Sequence, residues 1–262
     1  MQLIDSHCHL DFSDFEDDLN SVIKRANQHG IDSFIVPGVS NTNWSKVTKL
    51  TQRFDNVYCA YGIHPLFLKD SVISQSEQND GCFDDLTVLE NLLQNEPCIA
   101  VGECGLDATV DNMPLQQQVF KAQIELANKY NKPLIVHHRK THHLIQQCFK
   151  QIKPLKGGVI HAFSGNLQEA QKYIELGFKL GVGGGVTYAR ATKTRATIIK
   201  FGLSHIVLET DSPDMPLSGQ QGTRNEPKNI YGVAKALAEL LECSIDDVAT
   251  TTTENVKRLF SL

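Results

Sequence analysis

The sequence of 262 residues lacks a long apolar run, an excess of basic residues and any pair of cysteines in C-x-x-C spacing. No apolar run approaches the roughly 20 residues of a transmembrane helix, so no membrane-spanning segment is expected. With 25 Lys and Arg against 30 Asp and Glu, the formal net charge is −5, which excludes binding of nucleic acid through bulk charge alone. A polyanion would need a local basic surface or bound metal ions.

The cysteines number seven, and several lie inside short apolar runs such as 57–60 and 98–101. This pattern predicts buried thiols in a reducing compartment rather than a disulfide framework. The first residues show no basic stretch followed by an apolar one, so no signal peptide is expected. Together these features predict a cytoplasmic protein.

Short apolar runs alternate with amphipathic stretches along the chain, a pattern that predicts βα units and a parallel sheet. Eight such units fit a single α/β domain over residues 1–262, a (β/α)₈ TIM barrel. An open doubly wound sheet is the alternative, but it would usually place a glycine-rich phosphate turn where two histidines stand here. The predicted strands are Leu3–His7, Ser33–Pro37, Val57–Gly62, Cys98–Glu103, Leu134–His137, Gly158–Ala162, Phe178–Val182 and Ile206–Thr210.

The clearest helical segment is Pro114–Tyr130, which has proline at its start. Its apolar residues at helical spacing predict a buried stripe of Leu115, Val119, Ala122, Leu126 and Ala127. The stretch Lys69–Asp84 is polar and irregular and predicts a surface loop. The other predicted helices are Phe15–His29, Trp44–Phe54, Leu86–Gln94, Leu167–Leu176, Arg190–Phe201, Lys228–Cys243 and Ile245–Phe260.

Side chains that bind metals recur at the ends of the predicted strands, where a barrel of this type carries its functional groups. His7 and His9 share one face of the first strand, while Cys8 faces the other way. A single histidine at a strand end is usually structural, but a set at five strand ends predicts a metal centre. The further strand-end residues of this kind are His64, Glu103, His137, His161 and Asp211.

Six motifs that span nearly the whole chain resemble the TatD-type metal-dependent deoxyribonucleases, a branch of the amidohydrolase-like barrels, and occur in that family's order. Three further stretches, 181–184, 187–195 and 214–217, resemble its YjjV-like subgroup. After the fourth strand the family often has an aromatic residue and an arginine, which 108–113 lacks. The six motifs are Asp5–His9, Gly62–Pro65, Gly102–Asp107, Pro133–Arg139, His161–Gly165 and Leu208–Pro213.

The resemblance implies two divalent metal ions per chain, of zinc, magnesium or manganese. A carboxylate bridge suits two cations about 3.5–4 Å apart, and the fourth strand end offers Glu103 and no lysine. The implied activity is hydrolysis of DNA phosphodiester bonds by a metal-activated water, on single-stranded DNA or 3′ ends, with no obligate protein partner. The implied ligands are His7, His9, Asp211 and Glu103 for one ion, and His137, His161 and the bridging Glu103 for the other.

Catalytic roles follow from the same resemblance and from the chemistry of the side chains. Asp211 would accept the proton of the attacking water, and Glu103 would hold both ions. His64 would contact a phosphate oxygen or the leaving group. Glu209 shares a strand face with Asp211 and would orient a ligand, whereas His138 would face away from the site.

Basic residues of the second half predict a rim that faces the phosphates of a substrate. Arg139, Arg190 and Arg195 are the predicted substrate contacts, and the aromatic rings of Phe163 and Tyr188 would stack on bases. The predicted rim comprises Arg139, Lys140, Arg190, Lys193, Arg195, Arg224 and Lys228.

Three other functions stay open at this point. A binuclear hydrolase of a small lactone, amide or phosphoester would use the same ligands. A mononuclear deaminase-like barrel would not need Glu103 as a bridge, so metal stoichiometry separates it. A non-catalytic metal-stabilised or nucleic-acid-binding protein would bind without turnover.

Overall fold

The structure is a computed structural model, and it describes residues 2–71 and 84–262. Most of the predicted surface loop Lys69–Asp84 therefore lies outside the described residues. Within them, eight parallel strands form one sheet whose strand order follows the chain order. The strands are β1 Leu3–Asp5, β2 Ile31–Gly38, β3 Val57–Tyr61, β4 Ala100–Asp107, β5 Leu134–Arg139, β6 Gly158–Ile160, β7 Phe178–Val182 and β8 Ile206–Leu208.

Helices follow the strands in regular alternation, as the sequence predicts. The helix after β5, His142–Gln151, is an addition to the predicted set. The α-helices of the described residues are α1 Leu19–Gln28, α2 Asn41–Arg53, α3 Asp85–Asn95, α4 Met113–Lys129, α5 His142–Gln151, α6 Leu167–Glu175, α7 Thr192–Phe201, α8 Ile230–Leu241 and α9 Ile245–Phe260.

The sheet curves back on itself. The backbone N–H of Ser6 donates to the carbonyl of Leu208, and the N–H of Asp211 donates to the carbonyl of His7. These bonds bring the end of β8 against the end of β1 and make a nearly closed barrel. The predicted (β/α)₈ fold is confirmed, and the open doubly wound alternative is wrong.

The core has two parts on the two faces of the sheet. One small cluster takes one residue from each strand except β7 and is completed by Val256 and Phe260 of α9, which pack against the inside of the barrel. The larger cluster lies between the strands and the surrounding helices. Burial of each large apolar side chain contributes about 1.5–3 kcal/mol, so this double layer fixes the strand ends rigidly.

The buried face of α4 differs from the predicted stripe. Val119 and Ala127 are buried as expected. Leu115, Ala122 and Leu126 are only partly buried. Apolar periodicity misses part of this face because two of its positions are glutamines whose amides bind backbone atoms of the neighbouring strand ends. The other residues on the buried face are Gln116, Phe120, Gln123 and Ile124.

Strands β1, β6 and β8 are shorter than predicted, since each has three residues. Beyond β6 and β8 the chain leaves the extended conformation, and Ala162 and Asp211 adopt left-handed backbone angles, with φ of 46° and 57°. The candidate ligands of β1, β6 and β8 therefore lie just past the strand ends, where the backbone turns into the mouth of the barrel.

Candidate metal centre

The structure brings the six predicted metal ligands together at the carboxyl end of the barrel. Most of them line one cavity of about 550 Å³. Four of the six are almost fully buried, and the side chains of His137 and Asp211 are 17% and 19% exposed. Burial of imidazoles and carboxylates is costly unless they are paired or bind a metal ion, so their convergence suits a metal site. The six are His7, His9, Glu103, His137, His161 and Asp211.

The first group of donor atoms is compact. Nε2 of His7 lies 3.3 Å from Nε2 of His9, and 3.2 Å from Oε2 of Glu103. Oδ1 of Asp211 lies 3.6 Å from both of these imidazole nitrogens, and Nε2 of His9 lies 3.6 Å from Oε2 of Glu103. Among these donors, those of His7, His9 and Asp211 all lie close to one another, and the Glu103 oxygen lies beside the two imidazoles.

These separations fit a metal ion. Ligands about 2.0–2.2 Å from a tetrahedral metal are separated by about 3.3–3.6 Å, the edge of that tetrahedron. The three distances within the group of His7, His9 and Asp211, from 3.3 to 3.6 Å, match this edge. Glu103 adds an oxygen 3.2 Å from the nitrogen of His7 and 3.6 Å from that of His9. The residues present therefore suit a divalent cation bound by two imidazoles and Asp211, with a Glu103 oxygen beside them.

Glu103 faces a second group with its other oxygen. Oε1 lies 3.2 Å from Nδ1 of His137 and 3.5 Å from Nε2 of His64. The two oxygens of one buried carboxylate therefore point at two different sets of nitrogen donors. A carboxylate in this position can bridge two cations.

His137 is oriented by a carboxylate on the far side of its ring. Oδ2 of Asp107 lies 3.2 Å from Nε2 of His137, so Nε2 carries the proton and Nδ1 is free to bind a cation near Glu103. Asp107 belongs to one of the six motifs, but no role for it is predicted from the sequence. Its place at the end of β4, four residues after Glu103, is the signal that could have found it.

His161 has the same kind of support. Oε1 of Glu209 lies 3.1 Å from its Nδ1, while its Nε2 lies 3.5 Å from Oδ1 of Asp211. The ring also stacks on His7 with centroids 3.6 Å apart. The contact from Glu209 is not aligned as a hydrogen bond among the described residues, and the same oxygen accepts from the backbone N–H of Ala162. Glu209 therefore lies beside His161, and the orienting role stays a prediction.

His64 differs from the other histidines in its protonation. Its Nδ1 accepts a hydrogen bond of 3.1 Å from the backbone N–H of Leu66. Burial lowers the pKa of His64 to about 3, although Glu103 opposes the shift, so the ring is neutral at pH 7. Its proton therefore lies on Nε2, and that nitrogen is a hydrogen-bond donor that faces the cavity.

The field of the site favours cations. Burial opposes ionisation of Glu103 and Asp211, but the surrounding imidazoles outweigh it and hold both carboxyl pKa values well below their usual range. Burial likewise opposes protonation of His9, yet Asp211 and Glu103 raise the pKa of His9 to about 9. Burial lowers the pKa of His7, so its ring is held neutral beside the same carboxylates. The carboxylates that favour a proton on His9 also favour a metal ion, which competes for the same nitrogen.

Buried polar residues hold the backbone beneath the ligands. Gln123 accepts from the N–H of Ile63 and donates to its carbonyl, which fixes the residue before His64. Gln116 makes the same pair of bonds with the backbone of Asp107. Neither glutamine is predicted from the sequence, because nothing in their spacing distinguishes them from exposed polar residues.

A buried aspartate ties the first and last strands together. Asp5 accepts hydrogen bonds from the N–H and the hydroxyl of Thr210, the residue before Asp211. It also accepts from the N–H of His7. Burial raises the pKa of Asp5 to about 8, against the lowering effect of Thr210. The spacing between His7 and Asp211 is therefore set by one carboxyl group.

The predicted basic rim is only partly assembled. Arg139 is exposed and lines the metal cavity, and Arg190 lines a neighbouring cavity beside Tyr188. Arg195 instead lies in α7 and donates to the carbonyl of Val186, in the loop before that helix. Of the other rim residues, Lys140 is exposed, Lys193 lines the neighbouring cavity, and Arg224 and Lys228 pair with acidic residues.

The sequence predicts that the ring of Phe163 stacks on a base, but in the structure this ring packs against other protein side chains. Phe163 is buried in the core and packs against His138 and His142. The centroids of the His138 and His142 rings lie 4.1 Å apart, so His138 belongs to the same packed group.

A sequence model described as TatD related DNase matches residues 4–261. The chain belongs to the TatD related DNase family. It is 37% identical to an uncharacterized metal-dependent hydrolase, YjjV, of Escherichia coli K12, over 100% of this chain and 98% of that protein. It is 32% identical to YabD of Bacillus subtilis 168, also an uncharacterized metal-dependent hydrolase, over 99% of both chains.

Solved structures show the same relationship. The crystal structure of E. coli YjjV, a TatD homologue, superposes with a TM-score of 0.91 at 38% identity, covering 99% of this chain and 98% of that one. A TatD family hydrolase of Entamoeba histolytica, at 20% identity, shares the fold with a TM-score of 0.83 over 99% of this chain and 98% of its own. The chain is accordingly a metal-dependent hydrolase with candidate metal-binding His, Glu and Asp clusters. Among the described residues, no helix has the length and apolar character needed to cross a membrane.

Proposed function

We propose that the protein is a deoxyribonuclease that hydrolyses phosphodiester bonds of DNA with two divalent metal ions, which can be zinc, magnesium or manganese. The observation that carries this proposal is the position of Glu103. Its two carboxylate oxygens face separate groups of imidazole nitrogens, 3.2 Å from His7 and 3.2 Å from His137. Paired metal sites that share a carboxylate are typical of enzymes that hydrolyse phosphate esters.

We assign the histidine ligands from the hydrogen bonds of each ring, because these determine which ring nitrogen carries the proton and which is free to bind an ion. His7, His9, Asp211 and Glu103 would hold one ion. Glu103, His137 and His161 would hold the second. Asp107 leaves Nδ1 of His137 free to bind it beside Glu103. The free Nε2 of His161 lies 3.5 Å from Asp211, so His161 would reach the second ion from beside the ligands of the first. His64 is left out, since its cavity-facing Nε2 carries a proton and a ligand nitrogen cannot.

The bound ions would polarise a phosphodiester and lower the pKa of a water molecule. The protein side chains perform the remaining tasks. Asp211 stays ionised because the neighbouring imidazoles lower its pKa, so it is available to accept the proton of the attacking water. His64 donates from Nε2 to a phosphate oxygen or to the leaving oxygen. Arg139, exposed at the mouth of the metal cavity, is placed to neutralise a further phosphate.

A direct assay tests the proposal. The purified protein would be reconstituted in turn with zinc, magnesium and manganese and supplied with single-stranded DNA, duplex DNA, RNA and bis(p-nitrophenyl) phosphate. We expect turnover of single-stranded DNA or of 3′ ends, about two bound ions per chain, and a loss of at least about 100-fold in kcat for Glu103→Gln. The control is Glu239→Gln, an exposed carboxylate on α8.

Absence of phosphodiester turnover with every metal would refute the nuclease proposal. One tightly bound ion per chain would refute the two-metal site and favour the mononuclear alternative. Turnover of bis(p-nitrophenyl) phosphate without turnover of either nucleic acid would favour the small-substrate hydrolase instead.

A further inference from the structure

A second cavity adjoins the metal cavity. It has a volume of about 610 Å³, and the two cavities share Ser164 and Met215 in their walls. Each is within the size range of a small-molecule binding site, so together they can hold more than one phosphodiester group. The second cavity lies between the loop that follows β7 and the loop that follows β8.

The two cavities differ in charge. The metal cavity is lined by four carboxylates, whereas the second cavity is lined by Arg190 and Lys193 and by no acidic side chain among the described residues. Neither cation makes an ion pair within the described part of the chain, so both can compensate the charge of a ligand. On a chain with a net charge of −5, this local arrangement is suited to a phosphate. The four carboxylates are Glu103, Asp107, Asp211 and Asp214.

An aromatic platform stands beside these cations. The guanidinium carbon of Arg190 lies 4.8 Å from the centroid of the Tyr188 ring. The Tyr188 hydroxyl donates to the carbonyl of Pro216, which fixes the ring between the two walls of the cavity. A ring and a guanidinium held in this way offer stacking surfaces for an unpaired base.

Hydrogen bonds between the two loops hold the walls of the cavity together. Besides the bond from Tyr188, the N–H of Ser218 donates to the hydroxyl of Thr187 across the same two loops. Gly185 also lines the cavity, and a Cβ atom built on it would have no neighbour within 4 Å. A side chain at this position would therefore enter open space rather than displace the protein.

We infer that this second cavity binds the nucleotide that flanks the scissile phosphate, with its phosphate on Arg190 and Lys193 and its base against Tyr188. The inference rests on the proposed nuclease function and narrows it to single-stranded oligonucleotides. A duplex keeps its bases stacked and unavailable to the ring, and a lone phosphoester leaves the second cavity empty. The residues at the metal centre would then act on both small and long substrates, but only long ones would use this cavity.

Substitutions in the second cavity test the inference. Gly185→Leu fills the open space, and Gly185→Ala is its matched control. The double substitution Arg190→Gln and Lys193→Gln removes the two charges. Its control is Lys200→Gln, which removes an exposed charge from the far end of the helix that contains Lys193. Each variant would be assayed on a short single-stranded oligonucleotide and on bis(p-nitrophenyl) phosphate.

We expect Gly185→Leu and the double charge variant to lower kcat/KM for the oligonucleotide about tenfold or more, through KM, while the small phosphodiester is hydrolysed at an unchanged rate. The slope of log affinity against log salt should fall by about 0.7 for each phosphate that the charge variant no longer neutralises. Fluorescence anisotropy of a labelled oligonucleotide on the metal-free protein gives a second readout that does not depend on turnover. The two control variants should match the parent protein.

The possible failures are distinguishable. If the parent protein cleaves the oligonucleotide and the cavity variants cleave it equally well, the inference is wrong and the nuclease proposal stands. An equal loss on both substrates would also overturn it, since the variants would then act on the metal centre. If the parent protein hydrolyses neither substrate, the proposed function fails, and the inference fails with it.

Discussion

Asp107 and His137 are paired through the outer side of the imidazole ring. Oδ2 of Asp107 lies 3.2 Å from Nε2 of His137, and Nδ1 of the same ring lies 3.2 Å from Oε1 of Glu103. Burial raises the pKa of Asp107, but hydrogen bonds with His137 and Thr109 lower it by more. The carboxylate is therefore ionised at neutral pH. The pair fixes which nitrogen of His137 is available to a metal.

Removal of this charge should weaken one metal site selectively. We expect Asp107→Asn to lower the affinity for the second ion about 10–100-fold while the first ion stays bound, because an amide orients His137 without the negative charge. Competition with a chelator, followed by metal analysis, measures both affinities. Asp111→Asn, an exposed aspartate of the following turn, is the control. Equal loss of both ions would contradict this role.

Substitution of His64 tests whether this side chain donates a hydrogen bond to the substrate or binds a metal ion. We expect His64→Ala to keep two ions per chain and to lower kcat at least about tenfold, because a neutral Nε2–H that contacts substrate is lost. The variant His143→Ala removes an exposed histidine and should behave as the parent. Loss of one ion in His64→Ala would show instead that His64 is a ligand.

The buried amide of Gln123 should stabilise the fold. It pairs with both backbone groups of Ile63, so Gln123→Leu leaves a buried N–H and C=O without partners. We expect the free energy of unfolding to fall by about 1–3 kcal/mol. Urea denaturation measures the difference. Gln118→Leu lies on the exposed side of the same helix and should change stability little; a similar loss there would point to helix propensity rather than to the buried amide.

Acid should weaken the cluster of ion pairs that joins α1 to the loop after β8. The cluster consists of Asp18, Arg25, Arg224 and Glu226. Burial of Glu226 raises its pKa, but hydrogen bonds from Arg25 and Arg224 outweigh this and lower it below the ordinary value of 4.5. A lowered pKa in the folded state stabilises the protein above the unfolded pKa, and that contribution is lost as pH falls through the folded pKa.

We therefore expect Glu226→Gln to be less stable than the parent at pH 7, and the difference to shrink below about pH 4.5. Urea denaturation of both proteins between pH 7 and roughly pH 3 measures it. A difference that stays constant over this range would mean that the substitution acts through packing rather than through charge.

The sequence predicts the strands well because each is a short apolar run before a polar end. The strand Phe178–Val182 and the helix Ile245–Phe260 agree with the structure to the residue. The ends of β6 and β8 could not be placed, because the chain turns into left-handed angles at Ala162 and Asp211 that apolar patterning does not encode.

The candidate ligands could be found from the sequence because each stands beside a strand end. Their supports could not be. Gln116 and Gln123 act through backbone atoms of other segments, and Asp107 acts through the far nitrogen of a histidine from another strand. The sequence predicts that Arg195 contacts substrate, but its guanidinium donates to the carbonyl of Val186 in the loop before α7, a contact that depends on the loop conformation.

The left-handed backbone at Asp211 has a consequence for which variants of this site can exist. That conformation is accessible to glycine, asparagine and aspartate far more readily than to other residues. Glycine and asparagine supply no charged oxygen toward His7 and His9. In a library of all twenty residues at this position, the backbone conformation would therefore disfavour most side chains, and the need for a charged oxygen would exclude glycine and asparagine. Aspartate meets both requirements.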